Sequence, residues 1–311
     1  MKRSLVVAMI LAAALGAVPS MAAQDEIQVR ALDPGWTGGE PSGASSLEGR
    51  TCGTADPPDS ALRAVERDIA PYLSQATIEL RKRPSKTRTV RVAFLILHDG
   101  TEGFLTMTDV ENQIAALNLW YARFKIKFVL AAAFEADVHA TPALFRYAPG
   151  SDAELAAKSL LDRRGYDPRH YLRIYSFGPP PILLGYATFP QDLKTNGSRD
   201  GVSILYSTVP FGQPPFDLGM TTVHEVGHWL GLLHPFQGGC GGNGDFVADT
   251  PPEAGPDFEC AIGRDSCAGG GLDVVTNIMG YNQDACMNHL TQGQIARVIA
   301  MCSKYRPLAF R

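Results

Sequence analysis

The chain has 311 residues, 45% of them apolar and 19% charged, enough apolar material for a sizeable core and too much for global disorder. Its 28 Lys and Arg against 32 Asp and Glu leave a formal net charge of −4, which argues against a nucleic-acid-binding footprint. No solenoid repeat or heptad run stands out.

At the start, Lys2 and Arg3 precede an apolar run from Leu5 to Val18, followed by small residues at Ser20, Ala22 and Ala23. That order predicts a secretory signal peptide over residues 1–22, cut after Ala22 or Ala23. The run is shorter than the ~20 apolar residues a membrane span needs, and no later stretch reaches that length. The expectation is export without a membrane anchor. Outside the cytosol disulfides persist, so the four cysteines Cys240, Cys260, Cys267 and Cys286 read as two bridges pinning a loop-rich region. Their spacing leaves three pairings open.

From Gln24 to Pro58 the chain is rich in Gly, Pro, Ser and Glu and reads as extended or weakly ordered. Leu62, Val65, Ile69 and Leu73 then carry helical spacing between Ser60 and Arg81. The basic run from Arg81 to Arg88 is where a processing protease would cut between a pro-segment (23–88) and a catalytic domain (89–311). Strands are predicted at Thr89–His98, Lys125–Ala132, Tyr171–Phe177 and Gly201–Ser207. A helix is predicted from Thr108 to Phe124, with Thr108 as N-cap and Glu111 three residues on. The alternation predicts a layered α/β arrangement. After Pro235 glycines and cysteines dominate until Thr291, where a capping box with Gln294 opens a last helix.

The chemistry is concentrated in His224-Glu225-Val226-Gly227-His228-Trp229-Leu230-Gly231-Leu232-Leu233-His234. On a helix, His224 and His228 share one face, so both can reach one Zn²⁺ at roughly 2.0–2.1 Å. Gly231 lacks a Cβ, so the chain can turn sharply there and bring in His234 as a third ligand. Three neutral ligands leave the metal its charge and an open position, and Glu225 beside it can take a proton from the attacking water. A module holding zinc only for structure is the competing class. It has no use for Glu225 beside an open position and usually takes four protein ligands. The remaining His98, His139, His170 and His289 form no ligand spacing and read as structural or surface residues.

Downstream, Asn277-Ile278-Met279-Gly280-Tyr281 adds a methionine turn, which together with the long zinc motif is the metzincin signature. HEVGHWLGLLH (224–234), GDFVADTPPE (244–253), NIMGYNQDACMNHLTQGQIARV (277–298) and the Arg50-Thr51-Cys52-Gly53-Thr54 string together resemble the pappalysin family of metzincins. The resemblance covers roughly residues 50–300. It implies an α/β, metzincin-type catalytic domain with a twisted, mostly parallel five-stranded sheet and a zinc helix in an upper subdomain (89–234). An irregular, disulfide-pinned lower subdomain (235–311) would end in a helix.

The resemblance also implies a secreted zinc endopeptidase acting on proteins or peptides, read here as a monomer. His224, His228 and His234 would bind Zn²⁺, Glu225 would be general base and acid, and Tyr281 would stabilise the transition state. Met279 would lie under the imidazoles. The family pairing joins Cys240 to Cys267 and Cys260 to Cys286. Family members bind Ca²⁺ after the zinc helix, and Asp245, Asp249 and Thr250 are suitable oxygen donors, or else turn-forming residues. Asp284 is the candidate for the pocket accepting a basic residue after the scissile bond, although Gln283 stands where an acid is expected. Gly201–Ser207 is the candidate edge strand for antiparallel substrate pairing. Cys52 would silence a zymogen by taking the fourth zinc position. A Cys52–Cys302 disulfide is the alternative, since it would pair all six cysteines.

Overall fold

The computed structural model describes residues 29–31, 52–82, 86–179 and 183–311. The expected signal peptide, Arg50 and the centre of the basic run lie outside these residues. The sheet is built from β1 (Val29–Ala31), β2 (Arg88–His98), β3 (Ile126–Asp137), β4 (Leu172–Phe177), β5 (Gly185–Ala187) and β6 (Val202–Leu205), in the order β1-β3-β2-β4-β6-β5. The pairs β2–β3, β2–β4 and β4–β6 are parallel, while β5 runs antiparallel to β6. These five are the expected mostly parallel strands. The sixth, β1, comes from the segment read as weakly ordered and pairs antiparallel with β3.

Among the described residues, five helices of two or more turns accompany the sheet: α1 (Asp59–Arg81), α2 (Met107–Tyr121), α3 (Asp152–Asp162), α4 (Met220–Trp229) and α5 (Gln292–Tyr305). Strand periodicity sends alternate side chains of β2 to opposite faces. Val90, Val92, Phe94 and Ile96 pack with Val110, Leu117, Val223, Val226, Ile295 and Ile299 of α2, α4 and α5. Ala93, Leu95 and Leu97 pack on the other face with Leu160 and Leu161 of α3 and with Phe177. Every residue of β2 from Val92 to His98 is buried, as befits a strand covered on both faces.

Three expectations are corrected. The N-cap of α2 is Thr106, not Thr108: Thr106 accepts from the Asp109 amide and the Asp109 carboxylate accepts from the Thr106 amide. Capping there buries Leu105 and Val110 in the same cluster, which fixes the entry of the chain. The strand within Gly201–Ser207 is not at the edge, since β6 is paired on both sides and β5 is the free edge. Helix α3 lies in a stretch where no helix was predicted. The capping box of α5 on Thr291 and Gln294 is present as expected.

Between α4 and α5, a few single turns and the Asn277–His289 bridge are the only regular elements among the described residues. Two disulfides, Cys240–Cys267 and Cys260–Cys286, hold this stretch. Cys302 is a buried free thiol facing the Leu230 carbonyl at 3.8 Å, so the Cys52–Cys302 crosslink is absent. Helix α1 packs on α5, where Val65 and Ile69 meet Ala300 and Met301.

Candidate active site

Helix α4 begins after Gly219, whose φ of 77° suits a residue without a Cβ. Asp284 stabilises that start: its Oδ2 accepts from the Leu218 and Met220 amides at 2.9 and 3.2 Å. Gly227 packs directly on the Met279 sulfur, which leaves no room for a side chain there and seats the methionine turn against the helix. At Gly231, φ of 103° turns the chain out of the helix and carries His234 back to its neighbours.

The three imidazoles converge. His228 Nε2 lies 3.2 Å from His224 Nε2 and 3.0 Å from His234 Nε2. His224 Nδ1 faces the Ile278 carbonyl at 2.8 Å and His228 Nδ1 faces the Leu232 carbonyl at 2.8 Å. A carbonyl only accepts, so both Nδ1 atoms carry the proton and both Nε2 atoms present lone pairs. Burial pushes His228 well below the ordinary histidine range and His234 down as well, which keeps the rings neutral. Lone pairs this close repel one another unless a cation lies between them, so the donor set fits Zn²⁺. The Cys52 sulfur joins the three histidines, all four ligand atoms lying within 4.8 Å of one another.

Residues 52–54 lie along the free edge of the sheet. Cys52 forms a parallel bridge with Gly185, and the Gly53 amide donates to the Gly185 carbonyl at 2.8 Å. The Thr54 hydroxyl accepts from the Ala187 amide at 2.9 Å and donates to Glu225 Oε2 at 3.1 Å. The Cys52 sulfur lies 3.5 Å from the same oxygen. Asp56 faces His234 Nδ1 at 3.7 Å.

The sequence profile described as pregnancy-associated plasma protein-A, a peptidase family, matches residues 204–303. An extracellular metalloprotease of Coccidioides posadasii is 37% identical over 262 residues, spanning 83% of this chain and 90% of that protein. The chain belongs to the pappalysin family of metzincin metalloproteases, and is a zinc metalloendopeptidase. An extracellular metalloprotease of Verticillium alfalfae is 44% identical over 211 residues, covering 66% of this pappalysin and 71% of that protein. Among solved structures, mature mirolysin from Tannerella forsythia with a cleaved peptide superposes with a TM-score of 0.62 at 25% identity, covering 73% of this chain and 98% of that one. A mutant of promirolysin from the same organism gives 0.67 at 25% identity, covering 84% and 97%.

In this pappalysin the Tyr281 ring sits 5.0 Å from the His234 ring and 4.9 Å from Phe236. Burial, and then Cys52 and Glu225, push its phenol up, so it stays protonated. Asn277 and Gln294 exchange amide hydrogen bonds of 2.9 and 3.1 Å, and Asn277 also accepts from the Met279 amide. That pair, with Gln294 supplied by α5, fixes the turn whose Ile278 carbonyl orients His224. Asp245 Oδ1 accepts from Thr250 Oγ1 at 2.6 Å, while Asp245 Oδ2 is buried with no hydrogen-bond partner among the described residues. Asp249 is turned to the start of α5, accepting from Thr291 Oγ1 and the Gly293 amide. Asp284 is buried, 2% exposed. Thr54 and Arg297 were not singled out from the sequence, although Thr54 closes the Arg50–Thr54 string that was, and Gln294 was named only as a helix-capping residue.

Proposed function

We propose that the protein is exported and made as a zymogen, and hydrolyses internal peptide bonds of proteins with Glu225 as general base and acid. The convergence of the three Nε2 atoms beside the Glu225 carboxylate carries this reading. Zn²⁺, when bound, supplies an electrophile that acidifies water and polarises the scissile carbonyl. His224, His228 and His234 would hold it. Glu225 takes a proton from the attacking water and delivers it to the leaving amine. The protonated Tyr281 phenol donates to the oxyanion as it develops. Strand β5 offers substrate the Gly185 carbonyl and Ala187 amide that Gly53 and Thr54 now engage.

In the zymogen, Cys52 takes the position that catalysis needs open and Thr54 ties down Glu225. Residues 52–54 run parallel to β5, opposite to the antiparallel course that the family resemblance implies for substrate. The promirolysin match covers 84% of this chain and the mature one 73%, which fits a zymogen. The basic run from Arg81 to Arg88 is the proposed cut. The relatives are called extracellular, and no helix among the described residues is long and apolar enough to cross a membrane. The relatives' names fit removal of residues 1–22 on export. Ca²⁺ is proposed at Asp245 and Thr250, where the unpartnered Asp245 Oδ2 suits a hard cation.

The test uses processed protein on casein. Chelation and Glu225→Gln should each abolish cleavage, and Glu225→Gln should keep one zinc per chain. Wild-type cleavage by Glu225→Gln would overturn the mechanism.

A further inference from the structure

We propose that Arg297 is a positioning residue for the zinc-binding turn, and that the pro-segment grips the same guanidinium through Glu66. The proposal rests on the catalytic zinc reading above. Arg297 lies on α5, one turn beyond Gln294, and is 2% exposed. Its Nε donates to the Gly231 carbonyl at 2.8 Å and its Nη1 to Glu66 Oε1 at 2.6 Å. One guanidinium therefore bridges the zinc motif and helix α1.

The Gly231 carbonyl is at the point where the chain leaves α4 for His234. The neighbouring polar groups of the turn are engaged locally: the Gly231 amide with His228 O, the Leu232 amide with Gly227 O, and the Leu232 carbonyl with His228 Nδ1. The Gly231 carbonyl takes its donor from Arg297, a residue 66 positions away in sequence. A buried cation is a costly choice where an apolar side chain could fill the space, unless its hydrogen bonds are needed. The guanidinium fork holds a direction as well as a distance, which a flexible ammonium does not. One turn further along α5, Met301 occupies the space a Gly231 side chain would need, with its Cγ 2.6 Å from that position. The Gly231–Leu232 peptide is thus tethered by Arg297 and backed by Met301. Turning it would move both the carbonyl that orients His228 and the stem that carries His234.

Helix α1 contacts this clamp at the same two residues. Glu66 pairs with Arg297, while Val65 and Ile69 pack in one cluster with Met301. Residues 52–54 hold the cleft, and α1, over a helix of 23 residues, holds the back of the zinc turn. The pro-segment has two footprints on one site.

The test measures zinc transfer from processed enzyme to a chromogenic chelator, alongside kcat and KM on one peptide, for wild type, Arg297→Lys and Arg297→Gln. Arg297→Gln should release zinc at least tenfold faster and lose at least tenfold in kcat with KM within twofold. Arg297→Lys should recover part of both. Wild-type zinc release from folded Arg297→Gln would overturn the positioning role. Should Arg297→Gln not fold, wild-type zinc release from Arg297→Lys would overturn it equally. In the full-length zymogen, Glu66→Gln should speed trypsin cutting of the basic run at least fivefold without changing zinc release; unchanged cutting would overturn the grip. Absence of zinc from the wild type would instead overturn the catalytic reading beneath the proposal.

Discussion

The Thr54 hydroxyl donates to the Glu225 carboxylate at 3.1 Å while accepting from the Ala187 amide at 2.9 Å. One side chain of the proposed pro-segment therefore occupies the proposed general base and a backbone group proposed to face substrate together. Hydrogen bonds to charged groups are worth about 1.5–3 kcal/mol, so Thr54→Val should raise the leak activity of unprocessed protein about tenfold. Cys52→Ser should raise it further, and the double variant most. Initial rates on a quenched peptide, with the chain verified uncut, measure this. A Thr54→Val zymogen as silent as wild type would leave latency to Cys52 alone.

Asp284 joins the segment after the methionine turn to the start of α4 through two amide hydrogen bonds. Asp284→Ala should leave two donors at the helix start without their acceptor, at about 1–3 kcal/mol each when buried. The expected result is a lower melting temperature and a similar fall in kcat/KM for every substrate. A loss confined to substrates with Arg or Lys after the scissile bond would place Asp284 in the specificity pocket.

The Cys260–Cys286 bridge closes a loop of 26 residues that includes the methionine turn. Replacing both cysteines by alanine should cost about 2–4 kcal/mol. Hydrogen exchange should rise first in residues 255–288, before β2, one face of which packs on α3 in a cluster without residues of the bridged loop. Faster exchange in β2 at the same stage would contradict that order.

Burial, and then the Asp273 carboxylate, push Glu253 from 4.5 up to about 7. Its carboxyl keeps a proton that the unfolded chain has already released, so its contribution to stability falls as pH rises from about 4.5 through about 7. Glu253→Gln holds the neutral form throughout. Relative to wild type it should gain on the order of 2–3 kcal/mol between pH 4 and pH 8. Denaturant unfolding at the two pH values measures the gap, and a gap independent of pH would remove Glu253 from the account.

Local chemistry made much of this site legible in the sequence. The i, i+4 spacing of His224 and His228, the conformational freedom of Gly231 and the capping box at Thr291 act over a few residues, so a linear reading finds them. The pairing of the four cysteines was not legible in that way. Spacing left three choices, and the family resemblance, not geometry, named the one the structure contains.

Where two local signals overlap, packing decides. Thr106 with Asp109 and Thr108 with Glu111 are equally good boxes two residues apart, and the buried Leu105–Val110 pair selects the first. Helix α3 escaped notice because Glu154 and Lys158 are buried in it as an ion pair of 2.8 Å, which hides its inward face behind charged residues. Strand β5 has three residues, too few for a periodicity, and becomes the edge only because β6 pairs beside it.

The sequence by itself marked the three candidate metal ligands and the carboxylate beside them, because helix geometry relates His224, Glu225 and His228 and the turn at Gly231 brings in His234. Tertiary structure alone decided how His224 is aimed and what holds the turn before His234, since those two orienting groups are long-range, whereas His228 is aimed by the nearby Leu232 carbonyl. His224 takes its direction from the Ile278 carbonyl 54 positions on, and the turn before His234 takes its tether from Arg297. Neither partner is marked by spacing or residue type. A backbone carbonyl and a helical arginine acquire these roles only when α5 and the methionine turn pack beneath α4.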